Sequence, residues 1–598
     1  MKKISRRNFL RASGVFAAAA VGAGLAGCSS ASSTPSATAQ EHEPLHILTA
    51  GRDYTDFLEV LHSRYPEINV QFDAYYGQNR SAYMHRQLNT GIMPDIYTST
   101  YFWNPEKQAR YLIDLSKYPI TDRYLASQMK ETDVEGATYL LPYDFTIDGI
   151  GCNRSLLARN KIKVPTSFTE LESIMPTILD AGITPSICQI NLPGLGFQYF
   201  CNISDTIFLN TLEGRRWQSN FLKNQINASN VLQGCADYVQ KWIDIGILNM
   251  DYPEQEINYT AELFHEGNTA FFVGQVANFS QYDDGTGDQY TLMPYLSPDG
   301  SSNTFIIKIT RYYGLNKELE NPGNEQKLED ALHFLEVLST VEGFESINGS
   351  MPTVMCSLTD FSLPETSPYY AALSKVTSGY AAPYLYAGWE NYTADFGEVV
   401  RKWVNGDISK DDALEAFDDL QLDVITNGGP QSYGTVSETL DNRQTAQLVG
   451  QIFLDAVGAD AALISCNETK PGVNALAENS SGVSGSLLPG KLTDEDIVAI
   501  LPTGWYGDIH TATFTGARIK ELAELGFDLH DDGDTYPYIF ITKDHQELKD
   551  DQTYTAVLCG ATWDVWNEGH YQDSGIVGLD AAKAYFQQKH TISSALLD

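Results

Sequence analysis

The feature that most constrains this chain is the alternation of strand-like and helix-like hydrophobic patterns that begins at Leu45. The runs LHILTAG, INVQFDAYY and DIYTS have the composition and alternation of β-strands. Between them, YTDFLEVLHSRYPE carries Phe57, Leu58 and Leu61 at helical spacing, and NRSAYMHRQLNTG is helical up to Gly91. This order predicts an α/β domain with a largely parallel sheet. In such sheets, ligands bind in the crevice beyond the carboxyl ends of the strands.

The amino terminus predicts export. MKKISRRNFLRASG is basic and contains Arg6 and Arg7 in the pattern of a twin-arginine export signal. The short apolar run that follows ends in Leu-Ala-Gly-Cys28, which resembles the bacterial lipoprotein box. The resemblance implies that residues 1–27 are a signal peptide and that Cys28 is the lipidated first residue of the mature chain. The alternative is an ordinary signal peptide with a chance cysteine.

The segment after the signal predicts how the protein is attached. Residues 28–43 are rich in Ser, Thr and Ala without hydrophobic periodicity, which predicts a flexible tether. No later stretch reaches the roughly 20 apolar residues that a membrane-spanning helix needs. We therefore expect an extracytoplasmic protein held on the outer face of the cell membrane through its lipid alone.

Size, charge and cysteine spacing narrow the function further. A chain of 598 residues is too long for one core. The formal charge of −38 argues against binding to nucleic acid or to anionic lipid. Besides Cys28 there are seven scattered cysteines without a CxxC pair, so we expect no zinc or redox motif and mostly buried thiols. No cofactor is expected.

A family resemblance runs through residues 44–430. FLEVLHSRYPEINVQF, GIMPDIYTS, GATYLLPYDFTIDGIGCNRSLL, LFHEGNTAFFVGQVANF and NGSMPTV, in that order, resemble the extracellular solute-binding proteins of ABC importers, especially the sugar-binding group. The resemblance implies a periplasmic-binding-protein-like domain of two α/β lobes that close over a ligand without chemistry. Its partners would be the ABC permease subunits.

The candidate ligand site follows from aromatic residues in loop-like settings. Neutral sugars are bound by flat aromatic faces with polar groups nearby. The candidate ligand-binding residues are Tyr101, Trp103, Asp144, Gln275, Asn278, Trp389 and Glu390. Tyr101 and Trp103 follow a predicted strand end, and Asp144 follows a predicted Leu-Pro turn. The alternative is that these aromatic residues pack the surfaces between lobes. Val276 stands where the family often has Trp, which weakens the sugar assignment, although Gln275 and Asn278 remain available to hydrogen-bond. The next ligand class is a nucleoside.

The pattern changes at the turn-rich run ITNGGPQSYG, and residues 431–598 are predicted to form a separate α+β domain. LVGQIFLDAV, GKLTDEDIVAILPTG and TFTGARIKELAE resemble the C-terminal domain of 5'-nucleotidases. In that family this domain reads the nucleotide, whereas a separate domain holds two metals and cleaves phosphate. The resemblance covers roughly residues 433–560.

The residues that the nucleotidase family uses on its substrate are mostly replaced here. The His-rich metal motifs have no counterpart, so we expect no metal site and no enzymatic activity. The family's base-stacking Phe corresponds to Thr503. A possible second binding site would use Arg443, Trp505 and Trp563. The alternatives to a sugar-binding protein are nucleotide or nucleoside binding or hydrolysis through this domain, and a surface interaction protein.

Overall fold

Strands and helices follow one another through the first two thirds of the chain, as the hydrophobic pattern predicts. The computed structural model describes residues 42–49, 54–74, 80–102, 104–190, 194–252, 257–274, 287–349, 354–379, 381–383, 393–427, 432–466, 482–483, 485–501, 508–524, 538–559 and 563–597. Arg6, Arg7 and Cys28 lie outside these residues. No helix in the described ranges is long and apolar enough to cross a membrane.

Thirteen strands precede residue 390 in the described part. They are β1 (Leu45–Thr49), β2 (Val70–Ala74), β3 (Ile96–Ser99), β4 (Asp133–Val134), β5 (Ala137–Thr138), β6 (Leu141–Asp148), β7 (Ile150–Asn153), β8 (Thr184–Cys188), β9 (Thr269–Val273), β10 (Tyr290–Met293), β11 (Phe305–Leu315), β12 (Met355–Cys356) and β13 (Ala381–Pro383).

The helices of the same part lie between these strands. They are α1 (Thr55–Arg64), α2 (Arg80–Thr90), α3 (Pro105–Tyr111), α4 (Ala126–Glu131), α5 (Arg154–Arg159), α6 (Phe168–Asp180), α7 (Leu195–Ser204), α8 (Leu212–Phe221), α9 (Ala228–Val231), α10 (Gln233–Asp244), α11 (Ile257–His265), α12 (Glu325–Leu338), α13 (Val341–Asn348), α14 (Tyr370–Thr377), α15 (Thr393–Val404) and α16 (Lys410–Asn427). Short 3₁₀ segments (Leu115–Lys117, Pro119–Arg123 and Lys317–Glu320) and a π-helical turn (Asp205–Leu209) complete them.

The first lobe is built on a seven-stranded sheet in the order β12-β6-β11-β3-β1-β2, with β13 beside β11. Strand β1 runs parallel to β2 and β3, as predicted. However, β11 is antiparallel to β3 and β6, and β12 is antiparallel to β6. The prediction of a largely parallel sheet is therefore wrong. The sheet is mixed because β6 runs out toward a second sheet and β11 runs back from it.

The second lobe is built on a four-stranded sheet in the order β10-β7-β9-β8, surrounded mainly by helices α5–α11, α15 and α16. Its core contains many large aromatic side chains, among them Trp242, Phe197 and Phe417. The first lobe has its own core, in which Phe57 packs edge-to-face on Phe334 at 4.9 Å. Two separate cores joined by strands are the architecture of a hinged two-lobed protein.

Two strand connections join the sheets at the hinge, and the chain passes between the lobes a third time between β13 and α15. Strand β6 passes into β7 through Gly149, and β10 passes into β11. A side chain at Gly149 would place its Cβ only 2.5 Å from the carbonyl oxygen of Met293, so a glycine is required where the crossings touch. A hydrophobic cluster containing Phe145 and Phe305 from the first sheet, and Phe272 and Leu292 from the second, covers the hinge.

Residues 432–597, here called the C-terminal region, form two further sheets. The strands are β14 (Gly434–Val436), β15 (Ala461–Ser465), β16 (Gly490–Leu492), β17 (Asp508–Thr515), β18 (Tyr538–Thr542), β19 (Thr553–Cys559), β20 (Gln572–Val577) and β21 (Thr591–Ile592). The helices are α17 (Asn442–Val457), α18 (Asp494–Ile500), α19 (Gly516–Glu524), α20 (Trp563–Glu568) and α21 (Gly578–Lys589), with 3₁₀ segments at Lys543–His545 and Ser594–Leu596. The strand orders are β16-β14-β21 and β18-β15-β19-β17-β20.

The predicted elements of the C-terminal region are confirmed at several positions. Helix α17 begins at a capping box on Asp441 and buries Leu448 and Ile452 against the five-stranded sheet. The hydroxyl of Thr515 accepts from the backbone N–H of Arg518 at 3.3 Å, which is the predicted cap of α19. The region thus has an α+β arrangement with its own core clusters.

Candidate functional site

The turn that follows β3 is held rigidly at the carboxyl edge of the first-lobe sheet. His85 on α2 lies 3.2 Å from the Thr100 hydroxyl and 3.4 Å from the Thr100 carbonyl oxygen. The buried Gln108 amide donates to the carbonyl oxygen of Phe102, and Phe102 packs edge-to-face on His85 at 5.3 Å. Burial lowers the pKa of His85, so its imidazole is neutral at neutral pH.

Tyr101 lies in this turn, two residues beyond the last residue of β3, as predicted from the sequence. Its side chain is half-buried, and its ring packs edge-to-face on Tyr312 at 5.2 Å. Burial raises the pKa of the Tyr101 hydroxyl. A half-exposed phenol therefore lies beyond the carboxyl end of β3, which runs parallel to β1, and ligands of such sheets bind at this edge.

Of the other predicted ligand residues, the structure describes only Asp144. Trp103, Gln275, Asn278, Trp389 and Glu390 lie outside the described residues, and their role stays a prediction. Gly274, just before two of them, is described. A Cβ there would meet the Gln189 side-chain oxygen at 2.5 Å, so the end of β9 passes close to the end of β8.

The predicted position of Asp144 is wrong. The Leu-Pro pair before it is not a turn but the start of β6, and Asp144 lies inside that strand with none of its surface exposed. The carboxylate is 3.2 Å from the Arg311 guanidinium and accepts from the Thr310 hydroxyl. These contacts turn the carboxylate toward the protein interior.

Arg311 is the centre of a buried polar network that was not predicted from the sequence. Its guanidinium lies over the Tyr143 ring at 5.5 Å and donates to the Tyr313 hydroxyl at 3.5 Å, which is 3.1 Å from the Tyr54 hydroxyl. Burial lowers the pKa of Arg311, but the Asp144 carboxylate and the neighbouring tyrosine hydroxyls together raise it, and the net shift is upward. The network occurs at a β-bulge between β11 and β6, where the register shifts on either side of Arg311.

A second buried carboxylate lies at the hinge. Asp148 ends β6 and accepts from Gln198 at 2.7 Å and from Asn202 at 2.9 Å, both on α7 of the second lobe. The Tyr295 hydroxyl is 3.5 Å away. Burial raises the pKa of Asp148 to about 6, although these donors oppose the shift. Asp148 thus links the two lobes through a charge-assisted contact at their crossing point.

A small apolar gap lies in the core of the second lobe. Phe200, Trp217, Phe221 and Phe396 are among its lining residues, and nearly all of the lining is carbon and sulfur. Sugars need hydrogen-bonding groups for their hydroxyls. This gap is therefore a packing feature of the core and does not match a sugar.

The predicted second site in the C-terminal region is only partly placed. Arg443 is exposed in the first turn of α17, which matches a helix-start surface position. Trp505 lies outside the described residues, and Trp563 begins α20 without a described side chain. His510 lies beside Tyr571, with ring centroids 6.1 Å apart. Within the described ranges, no cluster of His, Cys, Asp and Glu side chains could hold a metal ion.

The fold of the two lobes is shared with solved solute-binding proteins. A family 1 extracellular solute-binding protein from Bifidobacterium longum subsp. infantis aligns with a TM-score of 0.51 and 14% identity over 64% of this chain and 99% of its own. RafE from Streptococcus pneumoniae aligns in its apo form with a TM-score of 0.52, 14% identity and coverage of 64% and 98%.

RafE in complex with raffinose gives a TM-score of 0.50 and 15% identity over 64% of this chain and 99% of its own. No protein-family model and no curated protein sequence matches the chain. The similarity in structure establishes the α/β fold of extracellular solute-binding proteins. Roughly a third of this chain has no counterpart in these structures.

Proposed function

We propose that this protein is an extracytoplasmic substrate-binding protein that takes a sugar or oligosaccharide to an ABC importer. The observation that carries the proposal is the two-lobed fold, which resembles that of RafE in complex with raffinose over 64% of this chain. The position of Tyr101 beyond β3 supports it, because this edge of the sheet faces the ligand crevice in such folds.

The proposed mechanism is closure of the lobes about the two strand crossings. The ligand would stack on Tyr101 and on the predicted Trp103 and Trp389, with hydroxyls bonded to Gln275, Asn278 and Glu390. Closure removes water from the cleft and strengthens these hydrogen bonds. A thermal-shift panel of oligosaccharides and nucleosides on the mature protein tests the ligand class. A ligand at 100 times its Kd stabilises the folded state by about 2.7 kcal/mol.

Raffinose-type oligosaccharides should raise the melting temperature, while nucleosides should not. If only nucleosides raise the melting temperature, the ligand is a nucleoside and not a sugar. No rise with any member of the panel would favour a surface interaction protein.

We also propose that Cys28 carries the lipid that holds the protein on the outer face of the membrane, next to the permease subunits. The basis is the lipoprotein-like sequence before Cys28. Cells grown with labelled palmitate should label the parent protein and leave the Cys28→Ser variant unlabelled. Equal labelling of both would disprove the assignment.

We further propose that the C-terminal region has no catalytic role. The basis is the replacement of the nucleotidase substrate residues, including Thr503, and the absence of the His-rich metal motifs from the sequence. Purified protein should release no phosphate from AMP with manganese or zinc above a blank without protein. Metal-dependent release that survives repeated purification would show that the region is part of an enzyme.

A further inference from the structure

The C-terminal region is attached to one lobe and packs on the other. Helix α16, the last element before it, is part of the second lobe, whose core contains Ala413, Leu414 and Phe417. The region's helix α18 instead packs on α2 of the first lobe. In sequence, only residues 428–431 separate α16 from the first described residue of the region.

The contact with α2, here called the docking contact, is specific. The Arg86 guanidinium donates to the Pro489 carbonyl oxygen at 2.7 Å, and its Nε lies 3.5 Å from the Asp496 carboxylate. The Tyr83 hydroxyl accepts from the Ser486 backbone N–H at 2.8 Å. The side chains of Arg86 and Asp496 are only 17% and 12% exposed, so salt screens this pair less than it screens a surface ion pair.

The docking contact also has an apolar part and a fitted backbone. Ala499 of α18 is buried with Tyr83, Met84 and Leu88 of α2. A Cβ at Gly490 would lie 2.6 Å from the Arg86 guanidinium, and φ at this glycine is +120°. Any side chain at this position would push Arg86 away from its carbonyl acceptors.

The same helix reaches the candidate ligand site. His85 precedes Arg86 on α2 and contacts the Thr100 hydroxyl and carbonyl in the turn that carries Tyr101. A contact that holds α2 in place therefore also holds the turn after β3, which carries Tyr101 at the predicted ligand site.

The length of the link limits how far the lobes can move while the docking contact holds. From Asn427 to Ser432 the chain advances five residues, which cannot span more than roughly 18 Å. The C-terminal region is thus held to the second lobe by a short link and to the first lobe by the docking contact. A large separation of the lobes at this side must extend the link fully or break the contact.

We propose that residues 432–597 are an intramolecular strap that couples the two lobes and favours the lobe arrangement seen here. The strap restricts opening and closing of the lobes through the docking contact. Whether this contact is formed or broken affects the turn that holds Tyr101, because α2 contacts both. The proposal concerns lobe motion in the unliganded protein, so it does not rest on which ligand the cleft takes.

Distances between the lobes test the strap directly. Spin labels on Glu59→Cys in α1 and Glu172→Cys in α6 report the lobe separation, because both positions are exposed on different lobes. The seven described native cysteines are buried and do not compete for label. A Cys28→Ser background removes the remaining thiol.

Two variants release the strap by different routes. Arg86→Glu repels Asp496 and breaks the docking contact, while ten Gly/Ser residues inserted between positions 429 and 430 lengthen the link and leave the contact intact. Arg110→Ala on α3 is the matched control, since Arg110 is an exposed cation of the first lobe outside the docking contact.

Both strap variants should broaden or shift the pulsed-EPR distance distribution of the full-length mature protein without ligand, and Arg110→Ala should leave it unchanged. Hydrogen exchange over residues 486–499 should rise in Arg86→Glu and stay low in the insertion variant. Distributions that match the parent in both strap variants would overturn the proposal. If the parent protein binds no sugar but its lobe distances change in both strap variants, only the proposed function is contradicted and the strap stands.

Discussion

Replacing Arg311 with methionine tests whether Asp144 is half of a buried ion pair or part of an open ligand site. Asp144 is fully buried and Arg311 is 5% exposed, with 3.2 Å between guanidinium and carboxylate. The change leaves the carboxylate with the Thr310 hydroxyl as its remaining side-chain partner. Breaking a buried pair by removing one partner typically costs about 3–5 kcal/mol, because a buried charge is left uncompensated.

Arg311→Met should therefore lower the free energy of unfolding by about 3–5 kcal/mol at pH 7. The assay is urea unfolding at pH 7, followed by tryptophan fluorescence. Adding Asp144→Asn to Arg311→Met should recover most of the loss, because no charge then remains buried. Arg64→Met is the control, since Arg64 pairs at 2.6 Å with Glu342 at the surface and the two side chains are 38% and 63% exposed, so it should cost about 0–1 kcal/mol. A loss below 1 kcal/mol would refute the buried pair and leave Asp144 as a candidate residue of an open ligand site.

Two other predictions concern the hinge and the thiols. Burial raises the pKa of Asp148 from 3.8 to about 6, so between these values the folded state binds more protons than the unfolded state and stability falls as pH rises. The Asp148→Asn variant should therefore gain stability relative to the parent as pH rises, by up to about 3 kcal/mol in the free energy of unfolding from pH 4 to pH 7. A difference that does not change with pH would contradict the raised pKa of Asp148. The seven described cysteines are buried, and burial raises the pKa of thiols such as Cys188 to about 12. In a Cys28→Ser protein, Ellman's reagent should find almost no thiol before unfolding and seven afterwards, whereas fast reaction of the native protein would show an open thiol.

Helices and strands whose start or stop is marked by neighbouring residues could be predicted from the sequence. Helix α2 ends at Thr90 and is followed by Gly91 at φ +74°, as its glycine stop predicts. The Leu-Pro pair before Asp144 misled the prediction because proline usually marks a turn. Here Pro142 lies within β6, before the residues that pair with β12. The N–H that proline lacks is therefore not required for a hydrogen bond to β12.

Features that depend on distant partners could not be read from the sequence. The mixed first-lobe sheet arises from strands that return from the second lobe after some 150 residues. Arg86 finds its carbonyl acceptors about 400 residues further along the chain. A charged residue such as Arg311 inside the apolar run FIIKITRYYGL does signal a buried partner, but nothing local identifies that partner as Asp144.

Isothermal titration of raffinose into the mature protein and two variants tests the central claim most directly. The parent should bind one molecule in the cleft, and Tyr101→Ala should weaken binding by tenfold or more, because loss of an aromatic stacking face costs about 1.4 kcal/mol or more. Tyr571→Ala, which removes an exposed tyrosine of the C-terminal region, should bind like the parent. Equal affinity of the parent and Tyr101→Ala would contradict the proposed site. No heat from raffinose or from related oligosaccharides would contradict the sugar-binding function itself.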